Sequence, residues 1–147
     1  MNQTEIAVVV PRAKTRPGLI ARAKTFRLVL DSEALWIIHL GNAMGPKVKS
    51  NDILADKLAG VMVNRMEAKL MKELERVEAS LIGMPLADQV KRKHSFRVPL
   101  SEGGAVTLQP NPHVAPRLIV KGAAGKAKLD GAEGDRVMFE AIADAFA

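Results

Sequence analysis

Between residues 52 and 93 the hydrophobic pattern changes period, and that change constrains this chain more than any other feature. On either side, short β-branched runs alternate apolar and polar residues. Within it, Ala55, Ala59, Met62, Val63, Met66, Leu70, Leu74, Val77 and Leu81 recur at helical spacing and share one face. Arg65, Lys69, Lys72, Glu75 and Arg76 fall on the opposite face. Pairs such as Lys69 with Glu73 and Lys72 with Glu75 add only about 0.2–0.5 kcal/mol each. Asn51 or Asp52 suits the N-cap, and Gly83 followed by Pro85 makes a stop. The strands flanking this stretch must meet in space, so it reads as a helical insertion, residues 51–93, into a single β domain of residues 1–147.

The start of the helix has a second apolar side, Leu54, Leu58 and Val61, with Gly60 as a bend or close contact. Beyond Pro85 a further turn is expected to end in Lys91, Arg92 and Lys93. A basic last turn complements the helix dipole, and this accounts for the run more simply than a nucleic-acid patch does.

Strands are expected over residues 6–10, 19–30, 35–40, 95–99, 105–109, 117–121 and 126–130, and a last helix over 135–146. Pro11 is expected to end the first strand, and the alternation slips near Ala23–Phe26, where a bulge fits. Asp31-Ser32-Glu33-Ala34 has tight-turn chemistry. Val137, Met138, Ile142 and Phe146 supply the apolar face of the last helix, with Phe139 beside it. The fold class is therefore α+β, a mostly antiparallel barrel or sandwich of about seven strands with a C-terminal helix and a long helical insertion between strands 3 and 4. The competing arrangement is an unrelated α+β domain whose sheet packs on the long helix.

At 147 residues the chain fits one domain with a substantial core. It has no cysteine, which removes disulfides, thiol catalysis and cysteine-ligated metal. No apolar run approaches the ~18 residues of a membrane span, and Met1 to Glu5 lack a signal-peptide plan. The expected location is the cytoplasm.

The formal charge is +6, and residues 1–50 hold eight Lys/Arg against three Asp/Glu. Within that excess Arg12, Lys14 and Arg16 recur every second residue, as do Arg22 and Lys24. In extended chain each set lies on one side. Converging without a carboxylate partner, the five suit a multivalent anion such as phosphate or a lipid headgroup. Nucleic acid ranks last, because four Phe, one Trp and no Tyr give little for bases to stack on.

No catalytic, metal or cofactor constellation stands out. His39, His94 and His113 lack the H-x-x-x-H spacing that puts two ligands on one helical face. His39, in a strand, reads as a partnered structural residue, and His113 as a loop residue. Gly122-Ala-Ala-Gly125-Lys126 lacks the spacing and the following Ser/Thr of a phosphate loop, and reads as a hairpin turn. No G-x-S-x-G elbow is present. Asp130, Glu133 and Asp135 are explained by capping of the last helix.

The stretch Phe26-Arg-Leu-Val-Leu-Asp with Leu35-Trp-Ile-Ile, followed by Ser95-Phe-Arg-Val-Pro-Leu and Arg117-Leu-Ile-Val-Lys, resembles the bacterial pleckstrin-homology-like (PH-like) domains. The resemblance covers most of the chain except the helical insertion. It implies a bent antiparallel sheet closed at one corner by the last helix, and a binding or scaffold role without catalysis. It also implies anion contact near the first hairpin, where Lys14-Thr15-Arg16 is similar to the basic pattern of lipid-binding members.

The expected function is a non-catalytic module that meets protein partners or anionic surfaces. The insertion, with Met62, Met66, Leu70 and Leu74 as interface, is expected to mediate homo-oligomer formation. Met71 and Met84 add adaptable apolar surface. The alternative is a small hydrolase or transferase with a composite site pairing His39 or His94 with a carboxylate.

Overall fold

A computed structural model describes the backbone of residues 6–15, 23–42, 53–109 and 115–147, and the side chains of these except 53–64, 66 and 67. The elements run β1 (Ile6–Lys14), β2 (Lys24–Asp31), β3 (Ala34–Asn42), α1 (Ile53–Leu81), α2 (Leu86–Gln89), β4 (Phe96–Pro99), β5 (Val106–Leu108), β6 (Arg117–Lys121), β7 (Lys126–Asp130) and α3 (Arg136–Ala145). All seven strands belong to one sheet, in the order β4-β3-β2-β1-β7-β6-β5, and every pair is antiparallel. The sheet is open, with β4 and β5 as its edges, so of the expected barrel or sandwich the closed barrel is not formed.

Among the described residues the two halves of the sheet are joined through one register pair, Lys14 with Asp130. So narrow a joint lets the sheet fold back on itself. A Cβ added to Gly125, in the β6–β7 turn, would lie 2.8 Å from the Phe96 ring of β4. The halves therefore face each other. Between them lie Val10, Phe26, Leu28, Leu35, Ile37 and Val98 from one half, and Val106, Leu118, Val120 and Leu129 from the other. Phe139, Ile142 and Phe146 of α3 complete this core. Gly104 N–H donates to the Phe146 carbonyl at 2.7 Å and ties the end of α3 to the β4–β5 turn.

Several local expectations are corrected. β1 does not stop at Pro11 but runs on to Lys14, because the register shift between Val10 and Ala13 falls where Pro11 has no N–H to give. The slip expected near Ala23–Phe26 is a register shift between Thr25 and Phe26. In α3, Val137 is 75% exposed while Phe139 is fully buried. Residues 139, 142 and 146 hold the true helical face, and position 137 lies about 200° from 139. Asp130 does not cap α3. Its carboxylate accepts from Arg117 Nε at 2.7 Å and Nη2 at 3.3 Å. Asp135 precedes α3 but makes no side-chain cap bond to it; its Oδ2 accepts from Ala132 N–H at 2.9 Å and closes the 3-10 turn Glu133–Asp135 ahead of the helix.

The β2–β3 turn is built as its sequence implies. Buried Asp31 accepts from Glu33 N–H and Ala34 N–H, each at 2.8 Å, through one carboxylate oxygen. Its other oxygen accepts from Trp36 Nε1 at 2.7 Å.

α1 is 29 residues long and runs through Gly60 without a break. It lies on the outer face of β3, away from the main core. Leu74 and Leu81 pack there on Ile38 and Leu40, with Trp36, Val77 and Val90 around them. The left-handed Gly83, φ 78°, turns the chain after α1, and α2 follows Pro85. Gln89 Nε2 donates to the Met84 carbonyl at 2.7 Å and closes that turn.

Candidate functional site

Of the five basic residues in the expected anion set, Arg12, Lys14 and Lys24 lie among the described residues. Arg12, in β1, donates from Nη2 to Glu78 Oε1 of α1 at 2.6 Å. That hydrogen bond raises its pKa above the ordinary arginine value. Arg12 therefore has a carboxylate partner, contrary to the expectation, and it anchors the insertion to the sheet. Lys14 is exposed at the end of β1. Lys24 opens β2, its N–H donating to Thr15 Oγ1 at 2.9 Å. Arg16, Arg22 and His113 lie outside the described residues.

The interface residues divide as well. Leu74 is buried against its own sheet, and Leu70 is half-buried beside it. The side chains of Met62 and Met66 lie outside the description. Exposed apolar side chains occur instead at Met71 (43%), Ile82 (81%) and Met84 (38%).

His39 is not the satisfied histidine expected. Its ring meets Phe26 at 5.4 Å and His94 edge-on at 5.2 Å between centroids. Its backbone is well bonded: the N–H donates to Ser95 Oγ at 2.8 Å, and the carbonyl accepts from Arg92 Nε at 2.9 Å. Nε2, however, is buried without a hydrogen-bond partner among the described residues. Burial first, then the nearby His94, Lys24 and Arg92, pull the His39 pKa down to about 4. His94 is lowered too, by desolvation and then by Lys24 and Lys93. Its φ of 68° is the left-handed conformation that non-glycine residues rarely adopt.

Beside this cluster, the end of β3 and the flank of α1 enclose a groove of about 230 Å3. Leu40, Leu70, Leu74 and Val77 give it apolar walls. Among the described residues Glu73, Arg76 and Arg92 are its charged groups, and Gly41 and Asn42 line its strand side. Sequence periodicity put Leu70 and Leu74 on one stripe. It gave no sign that Arg92, read as the end of a helix, would reach back to β3.

Among the described residues no group of three or more His, Cys, Asp or Glu side chains could hold a metal ion. None of the described helices is long and apolar enough to cross a membrane. Comparison with protein-family models, curated proteins and solved structures found no match.

Proposed function

We propose that this chain is a non-catalytic binding module of PH-like architecture, and that its helical insertion is the element added for association with a second copy. One observation carries this reading. Among the described side chains the main core is assembled from the strands and α3, whereas Leu74 and Leu81 of α1 join a smaller cluster on the outside of β3. An element that the core does not need is available for another purpose. The strand order, with the last helix completing the core between two facing half-sheets, supports the PH-like assignment.

A second copy is favoured over an unrelated partner by the charges on α1. Its exposed residues mix Arg65, Lys69, Lys72 and Arg76 with Glu73 and Glu75. A face carrying both signs is self-complementary under a two-fold axis, where each patch meets its own copy. Exposed Met71, Ile82 and Met84 supply apolar contact next to it. The test is solution mass by light scattering at tens of micromolar. The wild-type chain should exceed its monomer mass of 15.9 kDa, and Ile82→Glu should return it toward that value with an unchanged circular dichroism spectrum. A wild-type monomer at that concentration refutes the association.

A further inference from the structure

We infer that the outer face of β6 and β7 is a second contact between copies of this chain, and that it receives the outer face of α3 from the next copy. Burial fixes which side of these strands meets water. Leu118, Val120 and Leu129 point into the main core, so Lys121, Lys126 and Lys128 stand on the opposite side, all exposed. Lys14, exposed and in register with Asp130, extends the same face onto β1. None of these lysines takes part in an ion pair among the described residues. Asp130 shares their face, but Arg117 Nε holds its carboxylate at 2.7 Å. Glu102 reaches the β6–β7 turn from the inner side: its Oε2 is buried, and a Cβ on Gly122 would meet it at 3.1 Å and Val98 at 3.2 Å. Residues 16–22 and 110–114, next to this face along the chain, contain no Asp or Glu.

The lysine face is strained as it stands. Lys121 and Lys126 are register partners, and like charges directly opposite each other on one side of a sheet repel. The chain carries the counter-charge on α3. Phe139, Ile142 and Phe146 turn one side of that helix into the core. Val137, Glu140, Ala141 and Asp144 all lie within about 60° of the opposite direction, and all are exposed. Val137 is 75% exposed, and neither Glu140 nor Asp144 takes part in an ion pair among the described residues. Because α3 packs on the inner side of the sheet, its acidic face and the lysine face point away from each other. One copy cannot bring them together, and two can.

The two faces match in spacing as well as in sign. Lys126 and Lys128 are about 7 Å apart along β7, and Glu140 and Asp144 about 6 Å apart along α3. Each face also has an apolar residue among its charges: half-buried Ile119, in register with Lys128, and Val137. The formal charge of +6 opposes association of copies at long range. At physiological salt the Debye length is about 8 Å, so charges facing each other across a contact still act while distant ones are screened. The contact joins two different faces, so it repeats head to tail instead of closing as a two-fold pair. It uses no residue of α1 and does not rest on the reading of that helix.

The test is light scattering of the full chain over a concentration series at physiological salt. The wild-type mass should keep rising with concentration past that of a dimer. Lys126→Glu with Lys128→Glu should weaken this rise about ten-fold, and Glu140→Lys with Asp144→Lys should do the same, both with unchanged circular dichroism. An equimolar mixture of the two variants should recover the wild-type rise, because each face then meets its opposite charge again. Salt at about 1 M, where the Debye length is about 3 Å, should abolish the rise in every sample. A mixture that associates no more than its separate components overturns the inference, and so does a wild-type mass that levels off at a monomer or a dimer. If the mass levels off and the wild type, but not the Lys126→Glu, Lys128→Glu chain, is retained on phosphatidylserine vesicles or duplex DNA, the face belongs to an anionic surface and the inference is overturned. Every chain in this series keeps α1 unaltered, so association through α1 contributes equally throughout and is read separately, through Ile82→Glu.

Discussion

At the level of single residues, His39 carries the largest resolved cost. A base whose folded pKa lies below its unfolded value resists protonation in the fold. Folding then contributes full stability above the unfolded pKa of 6.5, and that stability is lost as pH falls from there toward about 4. The unfolded chain binds the extra proton in that window, so stability must rise with pH across it. A shift of this size corresponds to about 3 kcal/mol at about 1.4 kcal/mol per unit, and partial exposure of the site screens it to about 1–2 kcal/mol. Urea titrations at pH 6.5 and pH 4.5 should show this loss for the wild type. His39→Leu should lose less over the same range, and equal losses in both proteins would remove His39 as the cause. The sequence placed His39 in a strand but could not show that its ring nitrogen would lie buried among cations. That environment is assembled from Lys24, Arg92 and His94, which are remote from it along the chain or belong to the insertion. Asp31 is the contrary case. Its turn role was legible because all three of its donors lie within five residues.

Among the elements, the hairpins were the most legible parts, and β6 and β7 match their expected bounds. Local chemistry decides them. Gly122 N–H donates to the Gly125 carbonyl at 3.0 Å across a turn that the two glycines announce. What the sequence could not show is why the second glycine has no side chain. A Cβ on Gly125 would meet Phe96 ring atoms at 2.8, 2.9 and 3.0 Å, in a strand almost thirty positions earlier. Gly125→Ala must therefore push the β6–β7 turn off β4, or turn the ring, at a cost of about 1–3 kcal/mol. Gly134→Ala is the matched control, since a Cβ there meets nothing within 4 Å. It should be neutral, or stabilising by about 0.4–1 kcal/mol through the unfolded chain. Thermal melts of the two variants beside the wild type decide the point, and equal melting temperatures would rule out the contact. The same reasoning separates Arg12 from the anion set. Period-two spacing grouped Arg12 with Lys14 and Arg16, but it could not show that the partner of Arg12 would be Glu78, sixty-six residues away.

For the molecule as a whole, period and order in the sequence indicated an insertion, and the topology explains how the sheet tolerates one. β3 and β4 are antiparallel neighbours, paired from Ala34 with Pro99 to Ile37 with Phe96, and Ser95 Oγ accepts from His39 N–H just beyond. The chain thus leaves the sheet and re-enters it at nearly the same place. A short Gly/Ser loop replacing residues 43–93 should close these strands as an ordinary hairpin. Its described interior partners remain, because the main core is built from side chains of the strands and α3. Three terms change. Shortening a connection of about fifty residues to about five lowers its closure cost by about 2 kcal/mol. Loss of the half-exposed Arg12–Glu78 pair costs about 0–1 kcal/mol. Loss of Leu74 and Leu81 uncovers Ile38 and Leu40 on the outer face. With Ile38→Thr and Leu40→Thr installed to keep that face wet, the shortened chain should fold as a monomer and unfold cooperatively in urea. The fluorescence of Trp36, the chain's one tryptophan, and the circular dichroism of the remaining helix should change together. Transitions that separate, or a chain that binds hydrophobic dye without cooperative unfolding, would mean that the insertion is part of what holds the sheet together. The reading of α1 as an addition for association would then fail with it.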